Sequence, residues 1–126
     1  MNRPLRESAV GPFTGADSTA AIQVAPGLRA TLVSSSSDPL ADMMALWPND
    51  EHPRYLFVCD EAGGNPSVQR IDLTKPAAAN ATTILTRLSA CDPVRRTPWG
   101  TIIAGEETTT GGIYEIFQPD TILSPV

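Results

Sequence analysis

The chain has little of what many catalytic or nucleic-acid-binding domains are built on. Its 126 residues include one histidine, His52, in a predicted loop. A Ser-His-Asp site would have to use it, and no nucleophile-elbow pattern accompanies it. Lys and Arg total 9 against 14 Asp and Glu, a formal net charge of −5. No basic stripe is available to neutralise phosphates, which argues against nucleic acid as a partner. No apolar run is long enough to span a membrane. Phosphate-loop and dinucleotide fingerprints are missing. The start, Met1-Asn2-Arg3-Pro4-Leu5-Arg6-Glu7-Ser8, carries charge with no apolar segment behind it, so it does not read as a secretory signal. That leaves a cytoplasmic protein, or an export signal outside this chain. There are two cysteines, Cys59 and Cys91, too few for a disulfide framework. They could pair, but spacing alone does not show that their Cα atoms approach closely enough. The simpler reading of each is a small buried hydrophobe.

What is present points to β-structure. A hydrophobic share of 41% with 18% charged residues argues against wholesale disorder. Twelve prolines and nine glycines imply many chain reversals and few long helices. Residues 1–26, rich in small and turn-forming types, read as a flexible arm, and residues 27–126 as the folded part. Leu28 to Ser34 alternates and predicts a strand. Asp38 to Trp47 has two readings: a helix capped by Asp38 with Pro39 at its first position, or a strand over Met43–Trp47. The strand is favoured. Tyr55 to Cys59 is nearly all apolar, as in a strand covered on both faces. Val68 to Leu73 and Thr82 to Thr86 are further β-rich runs.

A repeat organises these elements. Tyr55-Leu-Phe-Val-Cys-Asp-Glu, a glycine turn and Val68-Gln-Arg-Ile71 have the same form as Gly100-Thr-Ile-Ile-Ala-Gly-Glu-Glu, a glycine turn and Ile113-Tyr-Glu-Ile116. The acidic pairs Asp60-Glu61 and Glu106-Glu107 lie 46 residues apart, and Val68 and Ile113 lie 45 apart. Short strands at such a period predict propeller blades. The expectation is an all-β chain: a partial β-propeller of about two four-stranded antiparallel blades. Leu28–Ser34 and Thr82–Thr86 would be the outer strands leading into each unit. A closed propeller needs about four to eight blades, so a piece of a larger propeller is expected. Its open sheet edges would invite self-association.

The candidate chemistry lies at the strand ends. Asp60, Glu61, Glu106 and Glu107 each follow an apolar strand. Alternation lets one member of each pair turn inward while the other meets the loop. Equivalent strand ends of successive blades converge on one mouth of a propeller, where several carboxylates would suit Ca²⁺. The competing reading is two pairs of solvated loop acids. Arg95 and Arg96 would favour a thiolate at Cys91, or hold a phosphate by forked hydrogen bonds. Equally, they are solvent-facing beside a buried Cys91. Asn80-Ala81-Thr82 fits a glycosylation acceptor, a pattern common by chance.

Cys91, the run Thr97-Pro98-Trp99-Gly100-Thr101, the pair Glu106-Glu107 and Gly112-Ile113-Tyr114-Glu115-Ile116 together resemble the PhoX-type alkaline phosphatases and their β-propeller relatives. The resemblance covers about a quarter of the chain well. It implies an exported propeller that hydrolyses phosphate monoesters with iron and calcium. Cys91 matches the family's iron-ligand cysteine, and Glu106 and Glu107 match the acidic pair near the metals. The spacer Asp92-Pro93-Val94-Arg95-Arg96 departs from the small, glycine-rich one usual in the family. Ligands expected from later blades lie outside this sequence, so this chain alone is expected to be a poor phosphatase. The alternative is a non-catalytic segment that binds calcium or a partner through the two acidic pairs.

Overall fold

The computed structural model describes residues 24–126. The chain divides into residues 1–32 and Val33–Val126, and the sheets belong to the second unit. The flexible arm expected over residues 1–26 lies almost entirely outside the described residues. Leu28–Ser34 is described and forms no strand, despite its alternation.

The described residues form an all-β structure of seven strands: β1 (Ala41–Trp47), β2 (Tyr55–Asp60), β3 (Val68–Asp72), β4 (Ala81–Leu85), β5 (Cys91–Arg96), β6 (Ile102–Glu106) and β7 (Ile113–Ile116). They make two antiparallel, unclosed sheets, β1-β2-β3-β4 and β5-β6-β7. The architecture is that of a partial, propeller-like β-structure. Two expectations need correction. The second sheet has three strands among the described residues, not four. The strands that lead each repeat are β1 and β5, whereas Thr82–Thr86 corresponds to β4 and closes the first sheet behind β3.

The repeat extends to the irregularities of the backbone. β1 pairs with β2 at Ala41↔Asp60, then jumps to Met44↔Val58. β5 pairs with β6 at Cys91↔Glu106, then jumps to Val94↔Ala104. Both leading strands therefore bulge at the same place, the usual device for bending a strand at the end of a sheet. The flanking hydrogen bonds also match. Glu61 N donates to Leu40 O (3.2 Å) where Glu107 N donates to Ala90 O (2.9 Å). Asp60 N donates to Ser67 O (2.9 Å) where Glu106 N donates to Gly112 O (3.0 Å).

The core lies between the sheets. Ala45, Phe57, Cys59, Val68 and Ile84 of the first sheet, with Leu88, meet Cys91, Val94, Ile102, Ala104 and Ile116 of the second. Burying each large aliphatic or aromatic side chain here contributes about 1.5–3 kcal/mol. A disulfide between Cys59 and Cys91 joins the two sheets through this core, with Cα atoms 5.2 Å apart. Arg70 is buried as well; its Nη1 donates to Pro119 O (2.9 Å) and its guanidinium stacks on Tyr55. Those contacts offset the loss of water around the charge.

The opposite face of the first sheet carries Met44, Leu56, Val58 and Ile71. The segment Val33–Ser37 covers it in part, leaving a groove of about 240 Å³. Asn80 pins that segment: its Nδ2 donates to Val33 O (2.8 Å) and its Oδ1 accepts from Ser36 Oγ (3.2 Å). Asn80 is only 3% exposed. The folded protein therefore offers no glycosylation acceptor at Asn80-Ala81-Thr82.

Candidate cation site

The four acids singled out by the repeat separate into two buried or clamped residues and two exposed ones. Asp60, at the end of β2, is 1% exposed. Its Oδ1 accepts from Ala62 N (2.8 Å), while Oδ2 has no hydrogen-bond partner among the described residues. Burial pushes its carboxyl up from the usual range, and the neighbouring Asp38 adds to the shift. Glu106 holds the equivalent position at the end of β6. One of its oxygens accepts from Ser89 N (2.8 Å), the other from Gly112 N (2.9 Å) and Tyr114 Oη (3.2 Å). The backbone donors at Ser89 and Gly112 hold its carboxyl below the usual range. A Cβ at Gly111 would collide with the carbonyl oxygen and Cβ of Glu106. Glu106 thus fastens the β6–β7 turn rather than facing a ligand.

The second members of the pairs, Glu61 and Glu107, are exposed. They approach two further acids that the sequence reading did not single out, Asp42 and Asp92. These sit within the bulges of β1 and β5, at equivalent places in the repeat. Carboxylate oxygens of Asp42, Glu61 and Asp92 lie within 4.8 Å of one another. A hydrogen bond with Asp42 raises the Glu61 carboxyl, and the charges of Asp42, Asp92 and Glu107 raise it further. Asp92 is raised by partial desolvation and then by Asp42 and Glu107. No Lys or Arg side chain forms an ion pair with any of the four among the described residues; the ion pairs present involve Asp72 and Asp50. Propinquity here follows from backbone geometry: the bulge turns Asp42 and Asp92 toward the residues just past β2 and β6. The signal was readable in Ala41-Asp42-Met43-Met44 and Cys91-Asp92-Pro93-Val94, once the strands leading each repeat are placed correctly.

Cys91 opens β5 and is fully buried, its sulfur bonded to that of Cys59. A disulfide sulfur carries no thiolate charge, so the donor that an iron ligand requires is not offered in this structure. This corrects the metal-ligand expectation for Cys91. The carboxylate set, by contrast, suits a hard cation.

Arg95 is exposed on β5. Arg96 is tied down, with Nη1 donating to Leu46 O (2.6 Å) and to Asp50 Oδ1 (2.9 Å). Both arginines line an open cleft of about 350 Å³ with Met44, Ala45, Leu46 and Asp50. The Thr97–Thr101 run is the β5–β6 turn. Gly100 adopts a φ of +89° there, which favours glycine. Thr101 Oγ1 and Trp99 Nε1 both donate to Glu115 Oε1, at 2.6 and 2.7 Å. The Thr97–Thr101 turn is therefore a polar knot closed by Glu115 at one end of the second sheet. His52 is exposed in the β1–β2 connection, with its backbone N donating to Asn49 Oδ1.

No family model matches the chain, and no curated protein or solved structure matches it. No helix among the described residues is long and apolar enough to cross a membrane.

Proposed function

We propose that this chain is a propeller segment that binds a divalent cation, Ca²⁺ by the chemistry of the donors, through Asp42, Glu61 and Asp92 with Glu107 beside them. The observation that carries the reading is the convergence of equivalent acids from both repeats without a basic partner among the described residues. Three or four carboxylates leave the rest of a six- to eight-fold oxygen shell to water or a ligand. Calcium relieves the mutual repulsion that raises Glu61 and Asp92. Calorimetric titration of CaCl₂ into the protein tests it. A saturable event, a higher melting temperature and loss of both in Asp42→Asn/Asp92→Asn are expected. Absence of heat and of any shift in the wild-type protein discards the reading.

The likeness to PhoX-type phosphatases supports a second, larger reading, in which the cation neutralises phosphate during monoester hydrolysis in a longer or assembled propeller. The cleft holding Arg95 and Arg96 favours it, since a forked guanidinium suits phosphate oxygens. Iron at Cys91 is left out of this reading because the sulfur is shared with Cys59. Binding of inorganic phosphate by the calcium-loaded protein, weakened at least tenfold in Arg95→Ala, supports it. Equal binding by wild type and variant removes it.

A further inference from the structure

The two sheet faces that meet inside this chain each have a counterpart outside the core, one partly covered by Val33–Ser37 and one exposed. Matching the bulges places Met44, Leu56, Val58 and Ile71 on the same positions as Val94, Ile102, Ala104 and Ile116. The latter four are buried in the core, against the first sheet. The former four line the groove on the far side of the first sheet, where Val58 and Ile71 are already buried beside the Val33–Ser37 segment, Leu56 is half-buried and Met44 is 49% exposed. In the same register, Phe57, Cys59 and Val68, fully buried on the core face, correspond to Ile103, Gly105 and Ile113. Those lie on the outer face of the second sheet, where Ile113 is 81% exposed and Trp99 stands beside Glu115.

We propose that a second copy of this chain docks on the groove beside Met44, presenting the outer face of its three-stranded sheet, so that copies stack head to tail. The contact continues by one repeat the interface already built between the two sheets of one chain. Interfaces of this head-to-tail kind make rings when the rotation closes and filaments when it does not.

The test is light scattering on the full chain, run with a chelator so that the outcome is independent of the cation reading. The wild-type protein is expected at a multiple of 13.4 kDa. Met44→Asp and Ile113→Asp alter exposed side chains, one on each face, and each variant alone is expected to be monomeric. Each keeps one intact face, so an equimolar mixture is expected to form a one-to-one dimer. Three results overturn the proposal. In the first, single variants still associate, which points to pairing of β7 edges instead. In the second, the mixture stays monomeric. In the third, the wild-type protein is monomeric, whether or not removal of residues 1–32 makes it associate; association after removal would assign the groove to the chain's own N-terminal segment.

Discussion

Asp60 and Glu106 occupy the same place in two copies of one motif, yet hold protons with opposite affinity. The backbone around them matches in register, bulge and hydrogen bonding. The difference is one methylene and the donors it reaches. The longer Glu106 side chain accepts from Ser89, Gly112 and Tyr114, which favours its charge. Asp60 reaches Ala62 alone and leaves one oxygen unpaired among the described residues. A repeated fold therefore does not imply repeated chemistry: the scaffold sets where a carboxylate sits, and local donors set its charge.

The largest effect comes from uncoupling the two repeats. Cys59 and Cys91 are 32 residues apart. Removing a cross-link over a loop of that size costs roughly 3–4 kcal/mol on the chain-entropy account. Urea unfolding of Cys59→Ser/Cys91→Ser in comparison with wild type measures this. Next comes a matched pair of core and groove. Ile102→Ala removes a fully buried side chain and costs about 3 kcal/mol. Leu56→Ala, at the equivalent half-buried place, costs about 1–2 kcal/mol in the monomer. Equal losses in the two variants would contradict the asymmetry between covered and open faces.

A smaller contrast addresses the acids themselves. At neutral pH, Asp60→Asn is expected to be neutral or stabilising, since it removes a buried charge with an unpaired oxygen. Glu106→Gln is expected to destabilise, because its amide nitrogen cannot accept from a backbone N–H. The same contrast governs pH dependence. Asp72, Glu106 and Glu115 are held below the usual range, Asp72 chiefly by Thr74 and Glu115 chiefly by Thr101. Their contribution is present above the unfolded-state values and disappears as pH falls through the folded ones. Asp60, Glu61 and Asp92 are raised, so stability declines as pH rises from the ordinary carboxylate range through their folded values. The melting temperature in chelator should therefore be highest on the mildly acidic side of neutrality. Asp42→Asn/Asp92→Asn should flatten the decline toward neutral pH.

Much of this fold was legible in the chain. The strand at Tyr55–Cys59 and its partner at Val68–Leu73 announced themselves by apolar content and alternation, and the acidic pairs marked the repeat. β5 was not legible. Cys91-Asp92-Pro93-Val94-Arg95-Arg96 contains a proline and two arginines, a poor strand by local preference. It becomes a strand because Val94 and Arg96 pair with Ala104 and Ile102, while Pro93 lies within the bulge, where no ladder hydrogen bond is required. Leu28–Ser34 failed in the opposite way: alternation without a neighbouring strand makes no sheet. The site divided along the same line. Glu61 and Glu107 followed readable strands, whereas Asp42 and Asp92 depended on bulges that only pairing reveals.

The link between Cys59 and Cys91 also gives the molecule a covalent shape that its linear order conceals. Residues 60 to 90, with all of β3 and β4, lie on a closed ring, and the leading and trailing parts of the chain hang from its clasp. A protease that cuts the ring once, in the glycine turn at Gly63-Gly64 for instance, opens it without releasing a fragment. The nicked protein keeps its mass in non-reducing electrophoresis and separates into two pieces only when a thiol reductant is added.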